Sequence, residues 1–263
     1  MNRSPRAVAW MLAPPIVFGV AFIALWEAAV KVFDLQPYFL PPPSAIWQEF
    51  RTNSTLIWDA TKVSGSNALV GLAIGTAIGV ALAFVLSRFR VLNELVTPLA
   101  IALNAVPIFV LVALFNNMFS ITSEVPRRLM VTLVVNFIVL VNVAKGLTQV
   151  DRTHLELMRS YAASDVVVLR KVRMPNAVPY LFTALKIAAP AAVITAFVSE
   201  YFGGSQNGLG SRIVGNIAIS KNATAWGYVL GACLLGLAFY LTASAVERVA
   251  TPGGPGRDGR DTA

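Results

Sequence analysis

Six stretches of this chain run for about twenty predominantly apolar residues, which is the length needed to cross the hydrocarbon core of a bilayer as a helix. Lipid offers no water to the backbone, so only helices and closed barrels span it. The stretches are continuously apolar rather than alternating, which selects helices over strands. The predicted fold class is all-α: a polytopic membrane protein with six transmembrane helices, at residues 8–30, 63–86, 95–115, 129–147, 180–202 and 226–246. The balance of residues agrees. Of 263 residues 56% are hydrophobic and 13% charged, whereas a soluble domain carries about 25% charged. Residues 1–250 form one membrane domain in this reading. The Gly/Pro-rich end at 251–263, TPGGPGRDGRDTA, is expected to be a disordered cytoplasmic tail.

The net charge of +8 is a topology signal. Arg3, Arg6, Arg88, Arg90, Lys145, Arg152, Arg159, Arg170, Lys171, Arg173, Arg248, Arg257 and Arg260 fall on one side of the predicted spans. Lys31, Arg51, Lys62, Arg127, Arg128, Arg212 and Lys221 fall on the other, and Lys186 lies inside a span. The richer side is cytoplasmic, so both termini are expected inside a bacterial plasma membrane. Arg127 and Arg128 fit that scheme least well. No basic patch interleaved with aromatics appears, which argues against a nucleic-acid partner. The first apolar stretch is longer than the core of a signal peptide and has no small-residue cleavage site after it, so it is expected to be retained.

Several chemistries are excluded. The one cysteine, Cys233, cannot form a disulfide within the chain and is expected to be buried in its span. The one histidine, His154, cannot build a His cluster, and no metal site is expected. The glycine cluster GGSQNGLG at 203–210 lacks the Gly-Lys-Ser/Thr ending that holds phosphate and magnesium. No catalytic set of residues is visible, so the chain reads as a non-enzyme. Pro41, Pro42 and Pro43 stop any helix, after which Ser44 is the expected N-cap of a short interfacial helix with Ile46, Trp47 and Phe50 on its apolar face. Gly71, Gly75 and Gly79 form a small-residue stripe suited to close helix packing.

The most informative segment is the loop at 151–175, which contains HLELMRSYAASDVVVLRKVRMP. A helix here places Leu155, Met158 and Ala162 on one face, with Glu156, Arg159 and Ser160 beside it. Ser164 and Asp165 are positioned to cap a second short helix, which Pro175 then ends. Such a loop suits docking into a cleft of a cytosolic partner, or lying on lipid headgroups. Glu156, Leu157, Met158, then Ala162, then Val172, Met174 and Pro175 keep the spacing of the Glu-Ala-Ala coupling loop of bacterial ABC importer permeases. The chain resembles that family over all but its tail, through Trp26–Glu27, FLPPPSAI at 39–46, KVRMPNAVPYLFTALKIA at 171–188, and Glu200 followed by Gly208-Leu209-Gly210. The similarity leans to the nitrate, sulfonate, taurine and thiamine-precursor branch.

That resemblance implies a type I importer permease fold and a transport subunit that hydrolyses no nucleotide. It also implies a second permease subunit, two cytosolic ATPase subunits using ATP and Mg, and an extracytoplasmic solute-binding protein. Its solute is small and polar, with a pyrimidine-like heterocycle as the first choice and sulfonate, taurine or nitrate as alternatives. Ala162 stands where the family has glycine. If that glycine serves a left-handed turn, alanine there costs about 1–2 kcal/mol. Glu200, with Gly208 and Gly210, is expected either at an outer gate of the translocation path or as the structural partner of the glycine loop. Asn104, Asn136 and Asn142 are further pathway candidates, or hydrogen-bond between helices. Lys186 sits near enough to the cytoplasmic end to snorkel. Two other classes also fit six spans. An ion-coupled secondary transporter would be expected to show internal repeats, and none is visible. A membrane scaffold would use the same loop and move no solute.

Overall fold

The computed structural model describes residues 5–88, 107–120, 122–203 and 207–250, with side chains from residue 13 onward. Ten α-helices are seen among them: α1 Pro5–Val32, α2 Pro43–Thr52, α3 Ser54–Arg88, α4 Ile108–Phe119, α5 Val125–Thr148, α6 Arg152–Ser160, α7 Asp165–Val168, α8 Met174–Phe202, α9 Leu209–Ala218 and α10 Asn222–Ala250. Five segments are long and apolar enough to span a membrane: Ala13–Val32, Ser54–Arg88, Val125–Thr148, Asp165–Phe202 and Asn222–Ala250. Most of the remaining predicted span, residues 95–106, lies outside the described residues, as does the tail at 251–263. Its last part is α4, which starts directly after Pro107.

Three boundaries differ from expectation. The second span begins at Ser54, ahead of its apolar part, and Asp59 and Lys62 pair at 2.8 Å three residues apart within this more polar first section. The interfacial helix α2 is flanked by Pro42 and starts on Pro43, with Ser44 already inside its first turn. Proline suits the first helical position, where its missing N–H is not needed. Pro175 ends nothing. The chain runs helically from Asp165 through a π-helical turn, Leu169–Arg173, into α8, and Pro175 sits in the first turn of that helix. A π turn just ahead of a proline accommodates a backbone that has lost one i→i−4 donor.

Helices α3 and α5 run side by side in the same direction. Gly71, Gly75 and Gly79 face Val131, Val135 and Val139 in register, four residues per step on each helix. A Cβ on Gly75 would lie 2.7 Å from the Thr132 carbonyl oxygen and 2.8 Å from the Val135 Cβ. Helix α8 packs antiparallel on the other side of α5, where Gly146 leaves room for Ala177 and Tyr180. The core of this three-helix unit is small: Ala184, Ala188, Ala192 and Ala196 of α8 are fully buried with Val131, Val135 and Val139. A second cluster holds α9 and α10 against α3 through Ile57, Ala60, Leu209, Ile213, Ala225 and Tyr228.

Helix α1 lies at the edge, with Ile16, Val17, Phe18, Val20 and Phe22 exposed. It is held near one end. The Trp26 ring meets Trp226 of α10 edge-on at 5.6 Å between centroids. The Glu27 carboxylate accepts the Ser44 N–H at 3.0 Å and the Ser44 hydroxyl at 2.8 Å, so an anion sits on the N-terminus of α2. Cys233 is not buried; it is exposed on the flank of α10. Its helix presents an apolar outer surface, with Leu234 and Leu237 also exposed.

The glycine contacts yield a direct test. Gly75→Val should destabilise the protein by about 1–3 kcal/mol, the usual range for overpacking a tight core. Gly236→Ala, where nothing lies within 4 Å of the added carbon, should be neutral or slightly stabilising. Thermal unfolding of the two variants in detergent measures the difference.

Candidate functional site

Two polar assemblies stand at opposite ends of the bundle. At the first, α6 hangs from the end of α5. Its start is capped by Asp151, whose carboxylate accepts the Thr153 N–H at 2.8 Å. That amide holds the Asp151 carboxyl below its ordinary range. Its end is closed by paired backbone bonds: the Ala162 N–H donates to the Arg159 carbonyl at 2.9 Å and the Ala163 N–H to the Met158 carbonyl at 3.0 Å. This closure needs a left-handed residue after the C-cap, usually glycine. Here that residue is Ala162, with φ 48°. The family glycine position therefore does serve a left-handed turn, and alanine occupies it at a conformational cost.

No residue of α6 is buried. Leu155 and Met158 are half-buried, while Glu156, Leu157, Arg159 and Ser160 are exposed. The outward apolar pair is thus Leu157 and Tyr161, one turn apart, rather than Leu155 and Met158. Tyr161 is 73% exposed. Ser164 precedes α7 in extended conformation without a side-chain cap bond. Asp165 instead takes the Arg88 guanidinium at 3.2 Å, joining this segment to the end of α3. Asn176 donates to the carbonyls of Gly146 at 2.7 Å and Gln149 at 3.1 Å, which satisfies the open end of α5.

At the opposite end Glu200 of α8 is 2% exposed. Its Oε2 accepts the Ser64 hydroxyl at 2.6 Å and the Gly210 N–H at 3.2 Å. The Leu209 N–H donates to the Ser64 oxygen at 2.9 Å. The first turn of α9 is thereby aimed at a carboxylate, where free amides and the helix dipole favour negative charge. Gly208 and Gly210 are required by contact. A Cβ on Gly208 would fall on the Glu200 carboxylate, and one on Gly210 would lie 2.8 Å from the Tyr201 nitrogen. Beside this joint Asn67 donates to Glu124 at 2.6 Å and accepts from Arg128 at 3.1 Å. Arg127, 1% exposed, donates to Glu124 at 2.8 Å. Glu200, Tyr201, Ser211, Arg212 and Asn216 line a recess of about 580 Å³ at the same end.

The structure brings Glu200, Gly208 and Gly210 together and leaves Asn136 and Asn142 apart from them. Asn142 bonds to the Ile138 carbonyl of its own helix at 2.8 Å. The Asn136 amide oxygen is enclosed without a hydrogen-bond partner among the described residues. Asn104 lies outside the described residues. Interhelical bonding is done by Asn67, and by Asn116, which donates to the Gly203 carbonyl at 2.5 Å. Lys186 does more than snorkel: it pairs with Glu247 of α10 at 2.7 Å.

Comparison with known proteins places this architecture. Residues 75–253 match the family described as binding-protein-dependent transport system inner membrane component. A probable ABC transporter permease protein of Haemophilus influenzae is 29% identical over 204 residues, covering 78% of this chain and 82% of the relative. The formylaminopyrimidine transport permease protein ThiX of Halalkalibacterium halodurans is 28% identical over 213 residues, covering 80% and 81%. Relatives at similar identity are named for transport of riboflavin, aliphatic sulfonates and bicarbonate. Among solved structures, an amino acid ABC transporter superposes with a TM-score of 0.61 at 15% identity, over 75% of this chain and 95% of the other, which supports the fold. The chain belongs to the family of binding-protein-dependent inner membrane transport components, and is a permease subunit of an ABC importer.

Proposed function

We propose that the loop at 151–175 is the element through which a cytosolic ATPase subunit drives this permease. The observation that carries this reading is α6 itself: a helix capped at both ends, buried nowhere, and presenting Leu157 and Tyr161 beside Glu156 and Arg159. A short rigid helix with an apolar pair and flanking charges fits a cleft, and α7 runs directly into α8, so a push on the loop is delivered to a spanning helix. In this reading the α6 end and both termini are cytoplasmic, and the Glu200 end meets the solute-binding protein outside. Two copies of the chain and two ATPase subunits make the working complex, with ATP and Mg bound by the ATPases. Glu200 holds α9 in place beside the outer mouth of the path, where Gly208 and Gly210 let the backbone approach its carboxylate.

The proposed solute is a small polar molecule, with a pyrimidine-like heterocycle favoured over sulfonate, taurine and nitrate. The support is the similarity to a permease named for formylaminopyrimidine. Uptake of labelled formylaminopyrimidine and labelled taurine by cells expressing the full system distinguishes them, and taurine uptake alone would overturn the preference.

Glu156→Lys and Ala162→Asp should each abolish co-purification of the ATPase subunits or uncouple hydrolysis from uptake. Normal assembly and uptake in both would refute the docking role. Ala162→Gly should relieve the left-handed strain and stabilise the loop by about 1 kcal/mol, read as slower amide hydrogen exchange across α6. With Cys233 first replaced, a cysteine at Ser220 should react with an impermeant maleimide on intact cells and one at Ser164 should not; the reverse pattern would invert the orientation.

A further inference from the structure

Ser64 and Asn67 lie three residues apart on one face of α3, and both are sealed from the surface, at 1% and 0% exposure. Polar side chains so enclosed in a membrane helix persist where their hydrogen bonds are made. Each of these two both donates and accepts. The Ser64 hydroxyl donates to Glu200 of α8 and its oxygen accepts the first amide of α9, at 2.6 and 2.9 Å. Asn67 donates to Glu124, beside the start of α5, at 2.6 Å and accepts from Arg128 within α5 at 3.1 Å. A single turn of α3 therefore gathers α5, α8 and α9. The rest of α3 is locked to α5 by its glycines and ends at Arg88, which meets Asp165 at the head of the loop segment. Among the described helices, α3 carries side-chain bonds at both polar assemblies, as α8 does through Asn176 and Glu200.

We propose that Ser64 and Asn67 are positioning residues of the transport cycle: they make α9 move as one body with α3 and α5, so that a binding protein seated at the Glu200 end is felt at the α6 loop. This rests on the docking and orientation proposed above. Without the Ser64 hydroxyl, α9 keeps the Gly210 amide on Glu200, the Ser211 hydroxyl on the Glu200 carbonyl at 3.2 Å and its apolar packing, while its hydrogen bond to α3 through Ser64 is lost.

The test uses the complete complex, permease with its ATPase subunits in lipid nanodiscs, with and without solute-loaded binding protein. The readout is the ratio of stimulated to unstimulated ATP hydrolysis, alongside the melting temperature of the complex. Ser64→Ala should lower that ratio by about tenfold, the scale expected for losing a buried hydrogen bond, and Ser64→Thr, which keeps the hydroxyl, should restore it. Asn67→Ala removes the other arm without touching Glu200 and carries the same expectation, so the test stands if either variant fails to assemble. A ratio within twofold of wild type in an assembled Ser64→Ala or Asn67→Ala complex overturns the proposal alone. An equal fall in Ser64→Ala and Ser64→Thr, tracking the melting temperature, also overturns it, because packing would then be the cause. A wild-type permease that binds no ATPase overturns the docking reading, and this proposal with it.

Discussion

Close backbone contact between α3 and α5 is the constraint from which the rest of this structure follows. In lipid, apolar side chains gain nothing by leaving water, so helices associate through packing and through polar contacts. Three glycines on α3 meet three valines on α5 with carbonyl oxygens at the limit of approach. That seam leaves no freedom to slide by less than a full step of four residues. It fixes the height of α5, and so the height at which α8 packs against the other side of α5.

The two polar assemblies use that rigidity differently. At the Glu200 end a carboxyl is brought inside, where its Oε2 takes hydrogen bonds from α3 and α9 and its Oε1 has no hydrogen-bond partner among the described residues. A buried ionisable group needs such partners, and their geometry leaves little tolerance for movement of one helix alone. At the α6 end the arrangement is the reverse. The caps are local and solvent-facing, and the Arg88–Asp165 pair that joins two helices is itself exposed; exposed pairs contribute little, about 0–1 kcal/mol. One end is held by buried bonds between helices, and the other is open to solvent.

Much of this was legible in the residues. The spans were visible as apolar runs, and the stripe at Gly71, Gly75 and Gly79 announced a close contact. The offset from Glu156 to Pro175 singled out the loop segment, and the alanine at 162 in place of a family glycine left open whether the turn is left-handed, which its φ of 48° answers. What escaped was non-local. Nothing adjacent to Ser64 indicates that Glu200 lies within 2.6 Å of it. Arg127 and Arg128 looked like flanking charges because a buried arginine and a flanking one have the same sequence signature until the partner is known. The valines at 131, 135 and 139 carried a matching period of four, which was the available sign of the α3–α5 seam. Asp151 followed by Thr153 was a readable cap. The outward turn of Leu157 and Tyr161 depended on how α6 leaves the bundle, which periodicity alone does not specify.

The anchoring of α1 bears on the order in which the molecule is completed. Its aromatic clasp joins Trp26 to Trp226, and the neighbouring segment is tied at the same edge by Thr224 to Glu49 at 2.7 Å and by the Asn222 amide to the Tyr38 carbonyl. These partners are separated by 175 to 184 residues where hydrogen bonds join them. During synthesis the first helix enters the membrane long before its partner exists. The α3–α5 seam can form while later helices are still on the ribosome, but this edge cannot. Closure of the α1–α2 corner onto α10 therefore waits until Asn222 and Thr224 have been made, and a ribosome that stalls before Asn222 leaves that corner without these partners.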